Sequence, residues 1–237
     1  MHVLFAGRST AHFTYYESVL TALGGAGHRV TLLFDREWSR EHDDTHIRKQ
    51  AKEIPGLAIG WASRRRGLSR RLLFHVRELR TVAWYLSRTD QSPFYLRRWK
   101  HYLPPLMRRA VDSPIVRGLV TTSPAQALLA SIERLIPADR TIRIELERLA
   151  PDVVVASPVN MRFSEEVEYV KAARALGIPS LVPVLSWDNL TTKGLFHVEP
   201  DVLAVWHETQ RQEAVTLHGL PESRVVVTGA PFFDKWF

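Results

Sequence analysis

Seven short apolar runs recur along the chain: "HVLFA" at 2–6, "RVTLLF" at 29–34, "GLAIGW" at 56–61, "DVVVA" at 152–156, "SLVPVL" at 180–185, "VLAVW" at 202–206 and "RVVVTG" at 224–229. They are strand-sized and continuously apolar, the pattern of strands covered on both faces. Helical segments separate several of them. Phe13, Tyr16, Val19, Leu20 and Leu23 share a helical spacing that stops at "GGAGH", where glycine suits a helix end. "EEVEYVKAARALG" and "ETQRQEAVTLHG" are two more helices. Strand, helix and strand in succession fold as right-handed βαβ units. The chain therefore reads as α/β: a Rossmann-like parallel sheet with flanking helices.

The middle, about 62–148, breaks this rhythm. "RRLLFHVRELRTVAWYL" carries an apolar helical face of Leu72, Leu73, Val76, Leu79, Val82, Ala83 and Leu86. Residues 61–118 hold fourteen Lys/Arg and three Asp/Glu, a balance of +11; the whole chain carries +7, so the remainder is −4. Basicity thus belongs to one helical insertion and implies an anionic partner. Arg64, Arg65, Arg66, Arg70 and Arg71 lead the cluster, with Trp84, Tyr85, Phe94, Tyr95, Trp99 and Tyr102 interleaved downstream. Cations beside aromatics suit an anionic membrane surface. Single-stranded nucleic acid uses the same ingredients but is not the expected partner, and a solvated basic helical insertion is the plain alternative.

No apolar run approaches the roughly 18–20 residues of a membrane span. The N-terminus reads as a first strand, not a signal peptide. Zero cysteines exclude disulfides and thiolate metal sites and fit a reducing compartment. The expectation is a cytoplasmic protein, peripheral at the inner face of the cell membrane. There is no Walker A sequence, and "GGAGH" precedes a strand instead of following one, so no nucleotide fingerprint is present. There is no D-x-D motif. "EHDDTH", with His42, Asp43, Asp44 and His46, reads as a solvated helix face. Neither a metal nor a cofactor is expected.

In a parallel sheet, ligands collect beyond the carboxyl ends of the strands. Three segments leave such ends: the turn from Gly7 and Arg8 to Thr10, the loop from Ser157 to Asn160, and the loop Ser186–Gly194. Gly7 either lets backbone approach a phosphate or merely ends its strand. In the third loop Ser186, Asn189 and Thr191 could hydrogen-bond a ligand, Trp187 could stack on a flat face, and Lys193 could neutralise an anion. The competing reading is a turn that satisfies its own polar groups. His12, with a pKa suited to neutral pH, is the first candidate general base and Asp188 the second.

"SWDNLTTKG", followed by "PDVLAVWHETQRQEAVTLHGLPESRVVVTGAPFFDKWF", resembles bacterial surface-carbohydrate proteins of the GT-B glycosyltransferase type. These include relatives of the glycerophosphotransferases and of the UDP-N-acetylglucosamine 2-epimerase-like group. The residues that carry the likeness are Ser186, Trp187, Asp188, Asn189, Leu190, Thr191 and Lys193, then Trp206, Gln210, Gly219, Val227, Thr228, Gly229 and Asp234. The resemblance implies two Rossmann-like domains across a cleft, an N-terminal one for the acceptor and a C-terminal one for a nucleotide-sugar donor. It also implies an acceptor-activating His near the first helix, where His12 stands, although "TAHF" lacks the flanking Gly and Pro of the best-known version.

On this likeness, residues 1–228 are the acceptor-side N-terminal domain of a GT-B fold with the basic insertion at about 62–148. Residues 229–237 begin an interdomain linker, and the donor domain is absent. The implied function is the acceptor-binding half of an enzyme of cell-surface polysaccharide or glycolipid biosynthesis, acting on a lipid-linked or polymeric acceptor. The alternatives are a non-catalytic membrane-docking or acceptor-binding subunit, and a sugar-nucleotide epimerase-like domain.

Overall fold

The computed structural model describes residues 1–40, 45–88 and 92–236. Of "EHDDTH" (41–46), residues 41–44 lie outside this range. Two compact units emerge: a sheet unit of Met1–Arg65, Ala138–Thr191 and the residues from Val198 on, and a helical unit of Arg66–Pro137 with Thr192–His197.

All seven apolar runs become strands of one sheet: β1 (His2–Gly7), β2 (Arg29–Phe34), β3 (Leu57–Trp61), β4 (Val153–Ser157), β5 (Ser180–Pro183), β6 (Val202–Val205) and β7 (Val225–Val227). Every pairing is parallel, in the order β3-β2-β1-β4-β5-β6-β7. The order reverses between β1 and β4, which makes that junction the topological switch point. The helices of the sheet unit are α1 (Glu17–Gly25), α2 (Arg36–Ser39), α3 (Thr45–Glu53), α9 (Arg140–Leu149), α10 (Glu166–Leu176), α11 (Asn189–Thr192) and α12 (Glu208–His218). The helical unit holds α4 (Gly67–Ser87), α5 (Pro93–Tyr102), α6 (Pro105–Asp112), α7 (Pro114–Val120) and α8 (Ser123–Leu135).

Side-chain alternation divides the strands between two faces. Val3, Phe5, Val30, Leu32 and Phe34 pack with Tyr16 and Leu20 of the α1 region, and the Phe5 and Tyr16 rings lie 5.7 Å apart. Right-handed crossovers put α9, α10 and α12 on the opposite face. The α1-side face beyond β1 is more open. A hollow of about 370 Å³ runs there, lined by Tyr15, Val19, Val155, Leu181, Trp206 and Phe232 among others.

The first helix differs from its sequence reading. A 3-10 turn over Thr10–Tyr15, capped by Ser9, precedes α1, so Phe13 and Leu20 sit on different elements. Gly24 has a steric reason to be glycine, since a Cβ there would meet the Pro55 carbonyl oxygen at 2.5 Å. The compact part of the basic insertion ends at Pro137, and α9 packs with α10 in the sheet unit.

Proline begins the short helices of the helical unit: Pro93, Pro105, Pro114 and Pro124 fall in first turns. A fixed φ and a missing N–H cost nothing there. Val82, Tyr85, Trp99, Leu103 and Val111 form the core of this unit, with the Tyr85 and Trp99 rings stacked 6.0 Å apart. Two of the interleaved aromatics are therefore core residues. The segment 192–197 is tied in by Tyr85 donating to the Lys193 carbonyl (2.9 Å) and Trp99 to that of Thr192 (3.4 Å).

Candidate functional site

The carboxyl ends of β1, β2, β4, β5 and β6 bring most of the chemistry-bearing residues to one rim of the sheet unit. On the β5 side, the Ser186 hydroxyl lies 2.5 Å from both Asp188 Oδ1 and Asn189 Oδ1. The Asn189 N–H donates to the Ser186 carbonyl (3.2 Å), and the Thr191 N–H to that of Asp188 (3.3 Å). Gln210, wholly buried on α12, donates to the Ser186 carbonyl (3.1 Å) and accepts from the Trp206 N–H (2.8 Å). His218 Nε2 meets the Leu190 carbonyl at 2.7 Å. The self-satisfied turn is thus largely real, and Asn189 is buried within it. What that turn presents outward is Trp187, 71% exposed, beside a half-buried Asp188.

The β4 loop leads to neighbouring ground. Ser157 is buried, its hydroxyl donating to the Pro183 carbonyl (2.7 Å) and its own carbonyl accepting from Tyr16 (3.2 Å). Asn160 is buried too and donates to the Asn189 carbonyl (2.8 Å), tying the β4 and β5 loops together. Both side chains hold the rim in shape. Gly7 has a packing reason: a Cβ would lie 3.2 Å from the Phe34 ring. His12 sits half-buried on the 3-10 turn after β1, its ring edge-on to Tyr15 at 5.8 Å. Lys193 belongs to the helical unit, so the sequence stretch that carries the loop is divided between the two units.

On the β1–β3 side the rim is charged. Asp35 caps α2 by accepting from the Glu37 and Trp38 N–H groups and pairs with Arg64 Nε at 2.7 Å. Arg64 also contacts Glu37 and reaches Glu165 at 3.8 Å. Arg65 is 4% exposed and binds Glu168 through Nε and Nη2, both 2.8 Å from Oε2. Arg64 and Arg65 are therefore internal ion-pair partners, which corrects their placement on a lipid-facing surface. Of the five basic residues singled out, Arg66 and Arg71 are exposed and Arg70 half-exposed.

Two members of this rim carried no sequence signal. Glu166 is buried, accepts from the Ser164 hydroxyl at 2.8 Å, and burial pushes its carboxyl up to about 8. Trp38 lies under Arg8, whose Cζ is 3.9 Å from the ring centroid. Their proximity depends on the fold, and neither spacing nor composition announces it. Among the described residues no group of three or more His, Asp or Glu could hold a metal ion, and no helix is long and apolar enough to cross a membrane.

No protein-family model matches this chain, and no curated protein matches it. Solved structures do. The chain is similar to MurG of Acinetobacter baumannii at 14% identity and a TM-score of 0.38, over 87% of this chain and 41% of that one. It is similar to UGT73P12 of Glycyrrhiza uralensis, solved with glycyrrhetinic acid 3-O-monoglucuronide, at 11% identity and a TM-score of 0.45, over 98% and 49%. A third is the glycosyltransferase VinC in complex with dTDP, at 14% identity and a TM-score of 0.33, over 77% and 34%. The chain spans less than half the length of each of these three.

Proposed function

We propose that this chain is the acceptor-side half of a glycosyltransferase-like enzyme of cell-surface polysaccharide or glycolipid biosynthesis. A nucleotide-activated sugar is the donor, and a further domain grips it. Fold alone does not assign chemistry, so the reading rests on the rim. The observation that supports it is Trp187, 71% exposed on a loop whose other polar groups are bonded internally. A large flat ring held out by a rigid turn contributes nothing to the core and suits stacking on a sugar. Asp188 stands next to it and is the base that removes the acceptor hydroxyl proton; the freed oxygen attacks the anomeric carbon as the nucleoside diphosphate leaves. His12 is the second candidate for that proton, and the bonds from Ser186 to Asp188 and Asn189 hold the loop in place.

Sugar transfer tests this in the protein that carries the chain together with its donor domain. The assay uses a panel of UDP-, GDP-, CDP- and dTDP-sugars with short-chain polyprenyl-phosphate-linked acceptors. Asp188→Asn should slow turnover by roughly 10²–10⁴-fold, the usual contribution of a general base. Trp187→Ala should raise KM for the acceptor with a smaller effect on kcat. Full activity in both Asp188→Asn and His12→Gln would remove the proposed chemistry from this rim.

A further inference from the structure

Arg8 directly follows β1 and is only 7% exposed. Its Nη1 is enclosed without a hydrogen-bond partner, and the side chain makes no hydrogen bond or ion pair with any described residue. What it has is the Trp38 ring, 3.9 Å away. Glu166 and Asp35 attract it electrostatically, while Arg64 and Arg162 repel it. Asp35 is committed to Arg64 Nε and to two backbone N–H groups of α2. Glu166 accepts from the Ser164 hydroxyl, and no hydrogen bond or ion pair joins its carboxyl to Arg8. Two residues on, the Thr10 hydroxyl oxygen is likewise buried and without a partner.

Folding alone does not favour this arrangement. Desolvating a cation is costly, and a cation–π contact returns only part of that cost. Burial accordingly lowers the Arg8 pKa despite the nearby carboxyls. A guanidinium and a hydroxyl left unpaired two residues apart at the switch point are the donor types that an oxyanion takes.

We propose that the turn after β1 is an oxyanion subsite, where Arg8 and Thr10 take a phosphoryl or carboxylate group and Trp38 holds the guanidinium in place. As a statement about the acceptor, namely that it bears such a group, this rests on the acceptor-side reading above; as a binding site it stands apart from that reading.

The test is thermal unfolding and calorimetry of the full chain in oxyanion-free buffer, titrated with inorganic phosphate, glucuronate and dihexanoyl phosphatidic acid in parallel. At least one should raise Tm and bind saturably. That ligand identifies the group as phosphoryl or carboxylate, and as free or lipid-borne. Arg8→Met should abolish the response while its ligand-free Tm stays equal to or above wild type, because an unpaired buried charge has been removed. Arg8→Lys, which keeps the charge and loses the fork, should bind at least about 10-fold more weakly. No response to any of the three ligands, or an undiminished response in Arg8→Met or Arg8→Lys, overturns the subsite. Oxyanion binding lost in Arg8→Met, together with a failed transfer assay, would sink the transferase reading and leave the subsite intact. Transfer that proceeds but is indifferent to Arg8 would leave the transferase reading intact and overturn the assignment of the oxyanion to the acceptor.

Discussion

Glu166 carries the clearest single-residue consequence of the fold. It lies fully enclosed at the start of α10, accepts from Ser164, and feels Arg8 and Asp35 as its charged neighbours. Burial lifts its pKa from 4.5 to about 8. The folded chain therefore holds this proton more tightly than the unfolded chain. The stabilisation is complete below about pH 4.5 and is lost as pH rises toward 8. Urea midpoints measured from pH 4.5 to 8 should show this decline in wild type, and Glu166→Gln should remove the part due to this group. An identical pH profile in the two proteins would mean that Glu166 is ionised in the fold. Nothing in "FSEEVEYV" marks one Glu as unlike its neighbours. What singles it out is enclosure by the fold without an ion pair of its own. Asp188 and Trp187 were legible because a dense polar loop after an apolar strand is a local pattern. Asn160 and Ser157 were legible as rim residues, but their inward direction was not.

Among the elements, the strands were the most legible, because each is a continuous apolar run whose register the parallel neighbours then fix. The limits of the helical unit were not. Both α9 and the unit before it are helical and basic in pattern, and only packing against α10 assigns α9 to the sheet. The pairing of α4 with α8 was equally hidden. Arg77 Nε and Nη2 bind Glu133 at 2.9 and 2.7 Å, and the Glu133 side chain is 1% exposed. Glu133→Ala leaves the Arg77 charge poorly compensated and should cost about 3–5 kcal/mol by urea unfolding. The double variant Arg77→Met with Glu133→Met should recover most of that loss. A cost under about 1 kcal/mol for Glu133→Ala would show that this pair does not hold α4 to α8.

At the scale of the whole molecule, charge and exposed apolar surface concentrate in the helical unit. Leu68, Leu72, Phe94, Leu106, Ile115, Leu119 and Leu128 are exposed there, among the exposed Arg66, Arg71, Arg97, Arg98 and Arg109. We propose an anionic membrane as the partner of that unit, with each cation near the surface contributing about 1 kcal/mol. Co-sedimentation with anionic vesicles should fall when those five arginines become Ser, and should weaken with salt over a Debye length of about 8 Å. Equal recovery on zwitterionic lipid, or preferential retention of single-stranded nucleic acid, would argue for another partner. The sheet unit supports the other half of the reading, an acceptor held on the rim around Trp187 with the donor gripped elsewhere. Calorimetric titration of the purified chain with nucleotide sugars and with a short-chain polyprenyl-phosphate-linked sugar tests this most directly. The expected result is saturable binding of the lipid-linked sugar alone, weakened in Trp187→Ala by about 1–3 kcal/mol, the worth of one stacked ring. Tight, saturable binding of a nucleotide sugar, unchanged in Trp187→Ala, would contradict it.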